Sequence, residues 1–274
     1  MQRNLFFANM YSPLQLATKF LKYWFTASNG KGHGIHSPFV FEFITQVLND
    51  RKAYYSYEKI ESLRSALLAN ESVLTIEDFG AGSRISATKK RSVQSIAGTA
   101  LKPKKFGQLL FRIANFYQPK NIMELGTSLG ITSAYLASAN QHATVVTMEG
   151  ASEVAAVARD NFNTLDLQNI QLKEGNFDET LPAVLSKMQT VDLAFIDGNH
   201  RLEPTVNYFK NLLPYCHENS ILVFDDVHWS KEMERAWESI KSHESVLLTI
   251  DLFFIGLVFF RKDFKIKQHF TIRF

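Results

Sequence analysis

The stretch Glu124-Leu125-Gly126-Thr127-Ser128-Leu129-Gly130 follows an apolar run and precedes a helix-forming one. Gly126 permits a tight turn, and Gly130 lets the next helix begin close to a ligand. Taken alone, such a turn suits nucleotides, flavins, phosphates or S-adenosylmethionine. Glu149 stands 23 residues beyond Gly126, close to the ~20 expected of an acid that accepts hydrogen bonds from a ribose. Three more acids fall after later apolar runs: Asp197, and the pair Asp225-Asp226. If those runs are neighbouring strands, three carboxylates converge and need a counterion, and a hard divalent cation such as Mg²⁺ takes oxygen ligands of this kind.

The elements that must position these residues form a regular series. A helix with Phe106, Leu109, Leu110, Ile113, Phe116 and Tyr117 on one face is followed by five predicted strand–helix units. The strands are Ile122–Leu125, Thr144–Met148, Ile170–Leu172, Val191–Ile196 and Ile221–Phe224. The helices begin near Ile131 and cover Val154–Phe162, Leu181–Leu185, Pro204–Leu213 and Lys231–Ile240. Such alternation predicts a parallel sheet covered on both faces, with ligands beyond the carboxyl ends of the strands. Val246–Leu252 and Ile255–Arg261 are separated by about two residues, too few for a crossover helix, so they are expected to pair as an antiparallel hairpin. The expected fold is therefore α/β: a doubly wound, mostly parallel, seven-stranded Rossmann-like sheet ending in an antiparallel hairpin. Residues 1–103 read as a helical N-terminal extension and residues 104–274 as the domain bearing the sheet. Helices are expected from about Leu14, after Ser37-Pro38 and after Ser56, and the glycine-rich Gly30–His36 stretch is a candidate lid.

The glycine spacing differs from that of dinucleotide sites, because Ser128 stands where the second glycine would admit a pyrophosphate. The sequence from about Lys104 to Arg261 resembles the class I S-adenosylmethionine-dependent methyltransferases, in particular the catechol and caffeoyl-CoA O-methyltransferase type. The resemblance rests on Phe106-Gly107-Gln108-Leu109-Leu110, the glycine turn, Glu149, Gly175-Asn176-Phe177, Phe195-Ile196-Asp197 and Phe224-Asp225-Asp226-Val227-His228-Trp229. It implies S-adenosylmethionine held by Glu124, Gly126, Thr127, Ser128, Gly130, Glu149, Gly175, Asn176, Phe177 and Asp197. It also implies a divalent metal on Asp197, Asp225 and Asp226, with Asp197 counted among the catalytic residues. The resembling enzymes carry Asp-Asn where this chain has Asp225-Asp226; the second acid either strengthens metal binding or caps the next helix. His200 occupies the place of those enzymes' catalytic lysine, and its ordinary pKa near 6.5 suits a general base. It either takes the acceptor's proton or only orients a neighbour. Trp229 is either a wall of the cleft or ordinary packing.

Composition narrows the alternatives. With 46% hydrophobic and 21% charged residues, 13 Gly and 7 Pro, collagen-like and largely disordered chains are excluded. The single Cys216 cannot form an intrachain disulfide, no signal-peptide core is evident, and the longest apolar run, Leu252–Phe260, is nine residues. A bilayer span needs about 20, so no membrane span and a cytoplasmic address are expected. Phe79 to Met123 holds nine cations and no acid within a chain of net charge +3, which suits an anionic acceptor or a solvated face. Three rivals stay open: a nucleic-acid methyltransferase using that segment, a nonenzymatic S-adenosylmethionine sensor, and a nicotinamide oxidoreductase. Few aromatics interleave with the cations, so nucleic acid is disfavoured. His33 and His36 read as loop residues rather than metal ligands, and Asp78–Ser83 as a turn without a cofactor. The acceptor is expected to be small or carrier-linked, and the oligomeric state, a homodimer included, is open.

Overall fold

A computed structural model describes residues 10–76 and 90–274. The Asp78–Ser83 turn lies outside the described residues, as does Lys89. In chain order, helix α1 (Pro13–Thr26) and helix α2 (Pro38–Phe43) come first, the latter running into a π-helical turn over Ile44–Leu48. Ser12 and Gln15 close α1 with a reciprocal capping box, and Pro13 sits at its first turn. Next come α3 (Tyr55–Leu68), β1 (Val73–Thr75), β2 (Lys90–Ser92), α4 (Val93–Ala100) and α5 (Lys104–Tyr117). The alternating part comprises β3 (Asn121–Leu125), α6 (Ile131–Ala139), β4 (Thr144–Glu149), α7 (Ser152–Thr164), β5 (Ile170–Glu174) and α8 (Phe177–Met188). It continues with β6 (Leu193–Ile196), α9 (Leu202–Leu212), β7 (Ile221–Asp225), α10 (Lys231–Ser242), β8 (Leu248–Asp251), β9 (Ile255–Phe259) and β10 (Gln268–Thr271).

The chain divides into two compact units. In the unit Asp50–Met188, β3, β4 and β5 are parallel, with Ile122 opposite Val145 and Val145 opposite Ile170. All nine residues of α6 are buried, because α5 and α3 cover it on one side and β4 lies on the other. That explains a helix that is apolar nearly all round. α7 packs against β4 and β5. The short β1–β2 antiparallel pair is an addition to a region expected to be helical and irregular.

The other unit joins residues 1–49 to residues 189–274. β6 and β7 are parallel, and β9 lies antiparallel between β7 and β8, so the expected terminal hairpin is present. Every residue of β6, β7, β8 and β9 is buried; β6 and β9 are unbroken apolar runs, and the polar Asp225, Thr249 and Asp251 are buried in β7 and β8. One strand was not anticipated: β10 runs parallel to β8. Its residues alternate in exposure and sit among charges, so no apolar run marks it. Beyond it, the Tyr23 hydroxyl of α1 donates to the Ile272 carbonyl, and Ser28 bridges to Ile272.

Candidate active site

The turn after β3 is held from behind and from the side. Gly126 and Thr127 donate their N–H groups to the Met148 carbonyl at 3.0 Å each, which ties the turn to the end of β4. Gly126 has φ 105° and Gly130 φ 82°, a left-handed backbone that favours glycine. A Cβ at Gly130 would lie 2.5 Å from the Phe162 ring, so α6 starts where only a glycine fits against α7. The Glu149 carboxylate spans the turn: Oε2 accepts the Ser128 N–H at 2.8 Å and Oε1 the Ala151 N–H at 3.0 Å.

Two residues expected to touch the cofactor face inward. Glu124 is fully buried, where its Oε2 accepts from the Ser133 hydroxyl and from the Thr147 hydroxyl at 2.6 Å. Thr127 is 2% exposed, with its hydroxyl 2.6 Å from that of Thr147. Their side chains form a buried polar layer under the turn, and buried groups of this kind must be paired with one another. The expected Gly175-Asn176-Phe177 segment forms the next turn. The Gly175 N–H donates to the Glu149 carbonyl at 3.0 Å, and the Asn176 side chain accepts the Asp178 N–H at 3.0 Å as α8 begins.

In the other unit, Asp197 follows β6 and Asp225 ends β7. With His200, they offer ligand atoms that all lie within 4.8 Å of one another. This is a metal-competent group among the described residues, and Asp226 is not part of it. The reason is backbone direction. Asp226 has φ 53°, and its N–H donates to the Phe254 carbonyl at 2.7 Å, which reverses the chain after Asp225. Nor does Asp226 cap the next helix, since Ser230 does so by accepting the Met233 N–H at 3.1 Å. His200 Nε2 lies 3.2 Å from Asp197 Oδ1. Asn199 at φ 66° and His200 at φ 38° make the tight turn that brings the ring back to the strand end, a strained backbone of the sort concentrated at functional sites.

The segment after Asp226 is braced by groups the sequence did not single out. His228 bridges Glu234 Oε1 at 3.1 Å and Asp251 Oδ2 at 2.8 Å, and stacks on Phe253 with ring centres 5.2 Å apart. Burial opposes charge on His228, but the hydrogen bonds and charges of Asp251 and Glu234 outweigh it and hold its pKa above the ordinary value. Glu234 also pairs with Lys19 of α1 at 2.9 Å and accepts the Tyr11 hydroxyl. Trp229 packs rather than standing alone: its indole N–H faces the Met10 sulfur at 3.2 Å, and its carbonyl accepts the Tyr11 N–H at 3.4 Å. A histidine inside Asp-Asp-Val-His-Trp was the only sequence signal for this network.

Other expected residues are not assembled into a site. In its described part, the acidless segment is not a single basic face: Arg112 is 8% exposed, and Arg91 binds the Ser95 carbonyl at 3.0 Å and the Thr99 hydroxyl at 2.6 Å on α4. Gly30–His36 folds as tight turns, anchored where the Asn49 amide donates to the Gly30 carbonyl at 2.8 Å. Burial pushes the Cys216 thiol up to about 12, so it stays protonated. Among the described residues, no helix is long and apolar enough to cross a membrane.

Residues 123–227 match a family model described as a methyltransferase domain. The catechol O-methyltransferase of Niastella koreensis is 27% identical over 146 residues, covering 52% of this chain and 65% of that protein. The chain thus matches less than two thirds of that curated relative's length. Among solved structures, the SAH-bound methyltransferase PaMTH1 of Podospora anserina has a TM-score of 0.58 at 14% identity, over 82% of this chain and 97% of that one. The O-methyltransferase TomG of Streptomyces achromogenes, solved with SAM, has a TM-score of 0.55 at 16% identity, over 77% of this chain and 91% of that one. The expected fold and the resemblance to S-adenosylmethionine-dependent O-methyltransferases of the catechol and caffeoyl-CoA type are borne out.

Proposed function

We propose that this chain transfers a methyl group from S-adenosylmethionine to a hydroxyl oxygen of a small or carrier-linked acceptor, with a divalent cation assisting. The observation that carries the reading is the group of Asp197, His200 and Asp225, with ligand atoms within 4.8 Å. Two carboxylates and an imidazole suit a hard or borderline cation such as Mg²⁺ or Mn²⁺. When bound there, it supplies Lewis acidity that makes an acceptor hydroxyl easier to deprotonate. Asp197 and Asp225 are the holding residues in this reading, and Asp226 is left aside.

S-adenosylmethionine supplies an electrophilic methyl group, so the chain's tasks are binding, alignment and proton removal. The Gly126–Gly130 turn suits the amino-acid part of that cofactor, and the Glu149 carboxylate, ending the strand beside the turn, suits the ribose. His200 takes the acceptor proton in this reading, and Asp197, 3.2 Å from its Nε2, stabilises the imidazolium that forms. Residues 104–274 carry the catalytic groups in this reading, and residues 1–103 are the helical extension. The Gly30–His36 loop is the candidate lid in this reading, with open space beside Gly34. The single, half-buried and protonated Cys216 suits a cytoplasmic setting.

The test is incubation with labelled S-adenosylmethionine and a panel of hydroxylated acceptors, with Mg²⁺ or with chelator. Metal-dependent label in a catechol- or thioester-linked product is expected. Label on RNA or DNA alone, or binding without transfer to anything, would replace the reading with one of its rivals.

A further inference from the structure

Helix α1 is apolar on two sides, and only one of them is packed. Leu16, Phe20 and Tyr23 lie against Phe253 and Phe254. On the side beyond Trp24, which meets the Phe20 ring at 6.1 Å, Leu14 is 75%, Leu21 54%, Trp24 42% and Phe25 81% exposed, with exposed Ala17 among them. At 3.6 residues per turn these five fall in one arc about 100° wide, the width of a helix stripe that normally faces a core.

The rims of this arc are cationic. Exposed Lys22 borders it on one side, and the Arg273 guanidinium lies 5.9 Å from the Trp24 ring centre on the other. No acid occurs before Glu42, while Arg3, Lys19, Lys22 and Lys31 precede it. The C-terminal segment that pairs with Ser28 adds Lys262, Lys265, Lys267 and Arg273 against a single Asp263 after Arg261. A second copy docked about a two-fold axis would bring two such rims, with Lys22 and Arg273 of each copy, against each other at a repulsive cost. An anionic lipid surface answers both features: the acyl boundary takes Leu14, Leu21 and Phe25, the headgroup region suits Trp24, and anionic headgroups pair with the cations.

We propose that α1 is a membrane-surface anchor that lies flat on anionic lipid through its Leu14–Phe25 arc. This stands independently of the methyl-transfer reading. The experiment is sedimentation of the full chain with phosphatidylcholine vesicles, with or without phosphatidylserine, over a range of salt. Binding is expected with phosphatidylserine, falling as salt rises, together with a blue shift in emission that Trp24→Phe removes. Leu21→Glu with Phe25→Glu should lower partitioning about tenfold or more, since it removes two apolar anchors. Circular dichroism melting checks that this variant is folded, and Leu14→Glu at the far end of the arc repeats the test independently. Absence of binding, or binding indifferent to these variants, overturns the proposal. So does a chain that is dimeric without lipid and becomes monomeric in the double variant.

Discussion

The Glu149 carboxylate accepts the Ser128 N–H at 2.8 Å, so the acid ending one strand fixes the glycine turn that follows the strand beside it. A group proposed to hold the ribose also shapes the loop proposed to hold the rest of the cofactor.

Glu149→Ala should therefore weaken S-adenosylmethionine binding by about 1.5–3 kcal/mol, the loss expected for charge-assisted hydrogen bonds. Isothermal titration calorimetry measures it. Wild-type affinity in the variant would remove the ribose from this position.

Asp225 is 1% exposed and belongs to the metal-competent group, whereas Asp226 turns away with its backbone tied to Phe254. Electron paramagnetic resonance titration with Mn²⁺ should show binding abolished in Asp197→Asn and in Asp225→Asn. Asp226→Asn should stay within about threefold of the parent, since it loses no ligand. Equal losses in all three would restore Asp226 to the ligand set.

His200→Ala should slow turnover by ~10²–10⁴-fold, the usual worth of a positioned base. Mn²⁺ and S-adenosylmethionine affinities should be nearly unchanged. If Mn²⁺ binding disappears instead, His200 is a metal ligand, and the proton leaves by another route.

The raised pKa of His228 makes stability depend on pH. Its charged form is favoured by folding, so its contribution is complete below the ordinary value of 6.5 and is lost as pH rises through the higher folded value. Asp251 and Glu234 behave oppositely: burial works against their charge, but His228 and, for Glu234, Tyr11 and Lys19 hold their pKa values below the ordinary ones. Their contributions are lost as pH falls. Melting temperatures across a pH series should decline on the alkaline side of 6.5, and His228→Gln should flatten that decline. A parallel decline in both proteins would place the pH dependence elsewhere.

The sequence by itself determined the order of strands and helices from Asn121 to Phe259, because apolar runs alternate with helical spacing and glycines mark the turns. It also determined which acids end strands, since Glu149 and Asp225 close β4 and β7 and Asp197 follows β6. Period and punctuation are local properties, and they survive without knowledge of the fold. Only the tertiary structure separated Asp225 from Asp226, adjacent residues of the same chemistry, because one positive φ and one hydrogen bond to Phe254 turn the second away. It alone put Glu124 and Thr127 beneath the turn, where Thr147 is their partner across the sheet. It alone recruited β10, which has no apolar run of its own and forms because β8 offers an edge to pair with. It alone joined His228 to Asp251 and Lys19 to Glu234, pairs 23 and 215 residues apart. Contacts at such separations are set by how the strands and helices pack, and no spacing along the chain encodes them.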